Sequence, residues 1–301
     1  MIYLHFIVNP ISGKGNHIID LPTLRNHFPC EKFKVEIEYS EYKMHAKELA
    51  SLAVLKKPDC IIACGGDGTI NEVASAIVGT NIKLGILPFG SGNGLASNLG
   101  IPKDIEKAIS IIKNGYSASI DIGRVNKQYF LSNMGIGIDA MIIKKYEESK
   151  KRTLLSYLKA SLSVGFKFKS TECKVSFKEN EYTAQFFLLF VSNSNEMGYN
   201  MSLTPKANLN DGLLDLLMVP QLSLFEKLQL GCYILCNKVP LFSKANYQLI
   251  KECTIELPQK TVTYLQIDGE FHELETNKIN IDILEKSLEI IIPIRIRKLM
   301  I

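Results

Sequence analysis

Through the first third of the chain, apolar residues come in short runs. Each run ends in small or turn-forming residues and is followed by a stretch with helical period. Residues 2–8 (IYLHFIV), 33–39 and 61–64 (IIAC) read as strands, with another near 83–87. Helices are predicted near 17–27, 43–56, from Thr69 to about 78, and over 103–113. In the third of these Ile70, Val73 and Ala74 fall on one face. Strands alternating with helices predict an α/β layered N-terminal domain whose glycine-rich loops lie at strand C-terminal ends, where open α/β sheets bind ligands.

From about residue 116 the pattern changes. Period-2 or continuous apolar runs occupy 118–125, 128–134, 172–178, 185–192, 213–219, 247–257, 262–268, 279–284 and 288–292. Many short strands with turn signals predict an antiparallel β-sandwich or barrel. Two helical insertions interrupt it, over 139–168 and 223–236, the second followed by Val239-Pro240-Leu241-Phe242. The predicted division is a first domain of residues 1–118, with room for 294–301 to rejoin it, and a second of 119–293. The insertion over 139–168 and its flank carry Lys144, Lys145, Lys150, Lys151, Arg152, Lys159, Lys167 and Lys169 between apolar positions. Two accounts stay open: surface helices packed on the sheet, or a basic, apolar rim resting on an anionic bilayer.

The loops of the first domain carry the chemistry. After the strand 61–64, Gly65, Gly66 and Gly68 allow positive φ and close approach of the backbone. Thr69 is placed to cap the following helix, with Glu72 three residues on completing a capping box. The N–H groups of the first turn favour an anion. Asp67 would oppose a bare phosphate, so it is expected to meet a magnesium ion, a ribose hydroxyl or a backbone donor. After the first strand comes Asn9-Pro10-Ile11-Ser12-Gly13-Lys14-Gly15, which has neither Walker A spacing nor a GxGxxG fingerprint. The loop Pro88-Phe89-Gly90-Ser91-Gly92-Asn93-Gly94 again offers backbone donors and a hydroxyl to an anion.

Composition narrows the class without naming it. At 301 residues, 46% hydrophobic and 22% charged, the chain is an ordinary folded protein with length for a real core. A net charge of +4 gives no sign of nucleic-acid binding. Seven cysteines without CxxC spacing read as reduced packing thiols of a cytosolic protein rather than a zinc site. The N-terminus lacks a basic n-region, and no run reaches the roughly 18 apolar residues of a span, so membrane contact is expected from outside.

The block GGDGT resembles the signature of the diacylglycerol kinase catalytic-domain family, which includes bacterial lipid kinases, sphingosine kinases and ceramide kinases. It is more distantly similar to NAD kinases and phosphofructokinases. Four further elements follow in family order: NPxSG at residues 9–13, the loop GSGNGLA at 90–96, PxAxxxDG at 205–212, and DGE at 268–270. The resemblance covers nearly the whole chain. Bacterial members usually read GTANDFA where this chain has GSGNGLA, which is nearer the GSGNALA of sphingosine-kinase-like members. Ser40 stands where the family commonly has Thr, implying a nucleotide contact beside its reading as an N-cap, and His45 reads as packed or satisfied.

The resemblance implies an ATP-dependent lipid kinase. ATP would lie on the loops of the first domain, around Asn9, Pro10, Ser12, Gly13, Ser40, Gly65, Gly66, Asp67, Gly68, Thr69, Asn71, Glu72, Ser91 and Asn93. Magnesium would join the phosphates to Asp67. By position, Asn208, Asp211 and the Leu213 carbonyl would hold a structural Mg2+, with an Asp-Gly turn as the plainer account. Phosphoryl transfer to an alcohol needs a proton acceptor. The family's DGE element implies Asp268 in that role, with Glu270 as alternate or partner and a DG hairpin turn as the competing account. Asp121 is expected to support the site by hydrogen bonds. The implied partners are a lipid substrate at a membrane surface and peripheral contact with the inner, cytoplasmic face, with room left for a homodimer. A soluble-substrate kinase of NAD kinase type and a non-catalytic nucleotide or lipid sensor are the alternatives.

Overall fold

The computed structural model describes residues 1–13, 19–114, 116–149, 153–198, 201–258 and 260–294. The chain forms two compact units, Met1–Asp121 with a return segment beginning at Glu285, and Ile122–Leu284. The return starts before residue 294 because the last strand is a single long one, and residues 295–301 lie outside the described residues.

In the first unit β1 (Ile2–Val8) lies between β2 (Phe33–Tyr39) and β3 (Cys60–Gly65), and β4 (Lys83–Pro88) follows on β3. All three pairings are parallel, and the end of the chain's last strand joins β4 in parallel at Ile290↔Leu84. A parallel sheet with helices over it is buried on both faces, and β3 is buried at every position. That is why CIIACG is continuously apolar rather than alternating. The helices are α1 (Leu21–His27), α2 (His45–Leu55), α3 (Asp67–Ile77), α4 (Gly94–Asn98) and α5 (Ile105–Asn114). On α3, Ile70, Val73, Ala74 and Ile77 are wholly buried at i, i+3, i+4 and i+7. Each isoleucine removed from water contributes about 1.5–3 kcal/mol. Helix α1 begins at Leu21 because Asp20 caps it, accepting from Thr23 N at 2.9 Å. Residues 17 and 18 of the predicted helix, with Lys14 and Gly15, lie outside the described residues.

The capping expectation at Thr69 is corrected. Helix α3 starts two residues earlier, at Asp67, with Gly66 at its N-cap and no side-chain cap bond. Glu72 serves a different helix end: its Oε1 accepts from Met44 N at 2.9 Å and its Oε2 from Ala46 N at 3.1 Å. Met44, the N-cap of α2, is left-handed (φ 71°) and has no side-chain oxygen to cap its own helix. A carboxylate from the next helix fills that role, which the spacing of T-x-x-E alone cannot distinguish.

The second unit contains the end of β5 (Ser117–Val125), then β6 (Gln128–Phe130), β7 (Asn133–Gly137), β8 (Thr171–Phe177), β9 (Asn180–Ser192) and β10 (Leu214–Pro220). It continues with β11 (Asn246–Ile250), β12 (Glu252–Glu256), β13 (Thr263–Ile267), β14 (Glu270–Leu274) and the start of β15 (Lys278–Ile291). The order is β14-β13-β7-β9-β8-β12-β15, antiparallel throughout, with β10 bridging β9 and β11 and β6 on β5. Strand β9 makes the corner: its first half pairs with β8 and its second with β7 and β10. Phe130, Met134, Val191, Leu216, Ile255 and Ile281 fill the interior. Helices α6 (Ile138–Glu147), α7 (Leu154–Lys167) and α8 (Leu224–Leu235) cover an outer face against Phe187, Leu188, Phe190, Leu217 and Val219.

The sandwich differs in detail from its predicted strands. The run 128–134 is β6 and β7, and 247–257 breaks at Lys251 into β11 and β12. The runs 279–284 and 288–292 are one strand, bent where Lys286 takes φ 48° and its N–H is held at 2.7 Å by Asp121 Oδ1. Strand β14 (EFHEL) is half-exposed and polar, which hid it. The insertion over 139–168 is two helices, and Lys150, Lys151 and Arg152 lie outside the described residues. Cys30, Cys232 and Cys236 are exposed rather than packed, and all seven thiols are free.

Glu72→Ala should destabilise the protein by about 1–2 kcal/mol, since it strips two N–H groups of α2 of their acceptor. Urea unfolding at pH 7 measures this; no change in midpoint would show that water replaces the carboxylate without cost.

Candidate active site

Three loops meet in the first unit because the parallel register brings the ends of β1, β3 and β4 level. Asn9 N donates to Cys64 O at 2.9 Å and Phe89 N to Gly65 O at 2.8 Å, so each loop leaves its strand beside the next. Asn9 Nδ2 donates to Thr69 Oγ1 at 3.1 Å, tying the NPISG loop to the first turn of α3. Asn9 Oδ1 accepts from Ile11 N, and Ser12 N donates to Asn9 O, folding Pro10 to Gly13 into a tight turn with Gly13 at φ 67°. Ser40 is buried, and its N–H donates to Val8 O at the end of β1.

Glycine is required at position 90, where the third loop touches the second. A Cβ on Gly90 would lie 2.7 Å from Gly66 Cα and 2.6 Å from Asn93 Oδ1. A Cβ on Gly66 would stand 3.4 Å from Gly90 Cα, with Ser12 Oγ 3.8 Å away. Asn93 is left-handed (φ 55°) and bonds Gly90 O through Nδ2 at 2.6 Å, while its N–H donates to Asp67 Oδ2 at 2.8 Å. In this structure Asp67 thus meets a backbone donor. Lys103 Nζ donates to Ser91 O at 3.2 Å, bringing a cation to that loop which the motif spacing did not indicate. Asn71 Oδ1 accepts from Ser75 Oγ one turn further along α3. His45 accepts from Glu41 N at 3.0 Å and stacks on Tyr42. What α3 presents at this junction is the open N-terminus of an 11-residue helix, whose first-turn N–H groups and dipole suit a phosphate.

In the second unit Asp268 and Gly269 form the two-residue turn between β13 and β14, with φ 46° and 80°. Positive φ at both positions is the type I′ geometry for which Asp-Gly is preferred. The turn does not explain the carboxylate, which is buried under the chain that leads into β7. Asp268 Oδ2 accepts from Leu131 N at 2.8 Å, and Oδ1 from Ser132 N at 2.8 Å and Asn133 N at 3.0 Å. Gln266 closes the arrangement: Oε1 accepts from Gly269 N and Nε2 donates to Asn133 Oδ1, both at 2.8 Å. Glu270 opens β14, half-buried.

The PxAxxxDG segment is a turn of oxygen donors. Asn208 Oδ1 accepts from Asn210 N and Asp211 Oδ1 from Leu213 N, and both residues are exposed. Two residues on, Asp215 is wholly buried, and burial with the Asp211 charge pushes its pKa up to about 7. Neither of its oxygens has a hydrogen-bond partner among the described residues. An exposed Asn, an exposed Asp and a backbone carbonyl are hard oxygen donors of the kind a divalent cation takes, while among the described residues no group of three His, Cys, Asp or Glu side chains could hold a metal ion.

Asp139 is the group that motif reading missed. It sits in the first turn of α6, 4% exposed, and burial pushes its pKa up to about 6, against a hydrogen bond from Gln266. Its signal was an acid on an otherwise apolar face, in GIGIDAMII.

Known proteins resemble the chain over both units. Residues 3–125 match the family described as diacylglycerol kinase catalytic domain, and residues 132–282 match the YegS C-terminal NAD kinase beta sandwich-like domain. The class is therefore that of kinases built from an α/β unit and a β-sandwich unit. The chain belongs to the diacylglycerol kinase catalytic-domain family. A diacylglycerol kinase of Bacillus subtilis (strain 168) is 29% identical over 272 residues, 88% of each chain. One from Staphylococcus aureus is 28% identical over 293 residues, 95% of this chain and 91% of its own. A solved diacylglycerol kinase from Bacillus anthracis str. Sterne shares the fold with a TM-score of 0.69 at 20% identity, covering 97% of both chains. An NAD kinase from Archaeoglobus fulgidus, solved with ATP, shares it more distantly, with a TM-score of 0.54 at 10% identity over 99% of this chain and 97% of its own. Among the described residues no helix is long and apolar enough to cross a membrane.

The Asp139 shift makes a prediction with a definite sign. Unfolded, the group ionises near 3.8, and folded only near 6. Between those values the folded state keeps a proton that the unfolded state has lost, so this carboxyl's contribution to stability falls as pH rises from about 4 to about 6. Asp139→Asn should therefore gain about 1–3 kcal/mol on the wild type between pH 4.5 and pH 7.5. Paired urea titrations measure it; a pH-independent difference between the two proteins refutes it.

Proposed function

We propose that this chain transfers the γ-phosphate of ATP to the hydroxyl of a lipid, diacylglycerol or a related lipid such as a sphingoid base or phosphatidylglycerol. The observation that carries the reading is the convergence of three side-chain-poor loops on the open N-terminus of α3, in a chain of this family. Main-chain N–H groups of Gly13, Gly66–Thr69 and Ser91–Gly92 would cradle the phosphates, and Asn9, Pro10, Ser12, Ser40, Gly65, Asn71, Glu72 and Asn93 would shape the surroundings. Asp67 is held in place by Asn93 N and brings a negative charge to the magnesium that accompanies the triphosphate as substrate.

Asp268 is assigned the hydroxyl proton, with Glu270 as alternate. Three backbone N–H groups fix the plane of the Asp268 carboxylate, so proton acceptance there costs no reorientation. Asn208, Asp211 and the Leu213 carbonyl would hold a structural Mg2+, which when bound offsets the charge of Asp211 near buried Asp215.

The lipid is proposed to be met at the inner, cytoplasmic face of a membrane. Leu155 and Phe166 on α7 and Phe225 and Leu228 on α8 are each more than half exposed. Lys227 Nζ donates to Gly165 O at 2.9 Å, holding the two helices together, and Lys159 lies between the apolar positions of α7. Apolar side chains beside amines suit an anionic bilayer. Phe166→Ser with Phe225→Ser should cut sedimentation with phosphatidylglycerol vesicles about tenfold. Unchanged sedimentation refutes the surface, and loss of a concentration-dependent dimer instead assigns it to a second copy.

The central test is a kinase assay with [γ-32P]ATP over a panel of lipids and NAD, with products identified by mass spectrometry. Label in a lipid is expected; label in NAD, or ATP binding with no transfer, overturns the reading in favour of a soluble-substrate kinase or a sensor. Asp67→Asn keeps an acceptor for Asn93 N and loses only charge, so kcat/KM should fall at least about 100-fold at unchanged Tm. Asp268→Asn should lower kcat far more than it alters the KM for ATP, beyond Glu270→Gln, though one N–H loses its acceptor and Tm drops. A raised KM with kcat retained removes Asp268 from the chemistry.

A further inference from the structure

Strand β14 is the free edge of its sheet, with β13 its only strand partner among the described residues. Its amides therefore alternate between β13 and no strand at all. Ile267↔Glu270 closes the two-residue turn, so Phe271 carries the first outward N–H after Glu270. That N–H donates at 3.0 Å to Oε1 of Glu147, the last residue of α6. Three residues earlier on the helix, Lys144 pairs with Glu273 at 3.6 Å and lies over the rings of Tyr264 and Phe271. In the first turn of α6, Asp139 bonds Gln266, the residue opposite Phe271. The acid fits there because β7 has a glycine beside it: a Cβ on Gly135, the partner of Gln266 on its other side, would overlap Asp139 Oδ2. Three side chains of one helix thus grip both strands of the hairpin.

On the strength of the kinase reading, we propose that α6 aims Glu270 at the acceptor hydroxyl, with Glu147 as the positioning residue. The two acids of this turn are secured by different means. Asp268 takes its direction from the amides of residues 131–133. Glu270 takes the position of its strand from β13 on one side and, through the neighbouring Phe271 N–H, from Glu147 on the other. Without that acceptor the Phe271 amide turns to water and the start of β14 gains freedom. A group that must stand within hydrogen-bond reach of a reacting hydroxyl loses rate steeply with such freedom. Glu147 touches no reacting atom in this scheme; it acts through the backbone of the strand that carries Glu270.

Glu147→Ala, Glu147→Gln, Glu270→Gln and the double variant Glu147→Ala with Glu270→Gln are assayed as full-length proteins, with ATP and the lipid that the wild type labels. Glu147→Ala should lower kcat about tenfold at an unchanged KM for ATP. Glu147→Gln keeps an oxygen for Phe271 N and should restore most of that loss. In the Glu270→Gln background Glu147→Ala should cost nothing further, because residues that act as a unit are not additive. Hydrogen exchange of the same proteins without nucleotide needs no turnover. Glu147→Ala should speed exchange of the Phe271 amide at least about tenfold, and Glu147→Gln should not. A kcat that Glu147→Ala leaves unchanged, an equal loss in both backgrounds, or equal exchange in Glu147→Ala and wild type overturns the proposal. A wild type that labels no lipid overturns the kinase reading instead, and the exchange comparison then decides alone whether α6 fixes the hairpin.

Discussion

Two backbones approach each other at Gly66 and Gly90 with no side chain between them, and the first unit's candidate site follows from that approach. A methyl on Gly90 would fall within 2.7 Å of the opposing Cα, so the loops close only with glycine at position 90. Once closed, the Asn93 N–H reaches Asp67 Oδ2, and Asn9 reaches Thr69 from the other side. The result is a junction built of main chain, with one carboxylate at its edge. A triphosphate carries more charge than one or two side chains answer, and a field of N–H groups with a helix end suits it better than a lysine cluster. The shortage of side chains in GGDGT and GSGNG is thus the chemical content of those loops.

The second unit uses backbone donors differently, to hold an acid in place. The carboxylate of Asp268 is the acceptor for three consecutive N–H groups of residues 131–133, the last of which opens β7. The same side chain thus holds the entry to β7 and is oriented by it. Around it the buried polar residues Gln266, Asn133, Asn193 and Ser192 form a connected patch, with Asn193 Nδ2 on Leu131 O and Ser192 bonded to Thr204. Thr204 leads into the PxAxxxDG segment, so two motifs far apart in the chain share one polar neighbourhood within this unit.

Much of this architecture was legible in the residues, for identifiable reasons. Strands β1 and β3 fall on or within one residue of their predicted spans because buried strands ending in Gly or Asn-Pro leave a continuous apolar run with a clear stop, and β2 falls on its span through the alternation of FKVEIEY. The two-unit division was visible where helical period gives way to short strands. What misled was local chemistry that serves a distant partner. Glu72 has the spacing of a cap for its own helix yet caps α2, and Lys286 bends β15 for the sake of Asp121. Strand β14 was hidden because a half-exposed polar strand lacks the alternation that reveals others. Asp139 and Asp215 were passed over because they stand outside the motifs, and a lone acid among apolar neighbours is a faint sign of burial.

The Asp268-Gly269 turn has a consequence for the order in which the molecule assembles. A two-residue hairpin is among the quickest structures a chain makes, closing in microseconds. The amides that grip the Asp268 side chain come from residues 131–133, more than 130 positions away, and contacts of such separation form late. The hairpin therefore precedes the cradle. A chain caught part-way through folding carries the acid on a finished turn, and the three amides that hold it arrive only with closure of the sandwich.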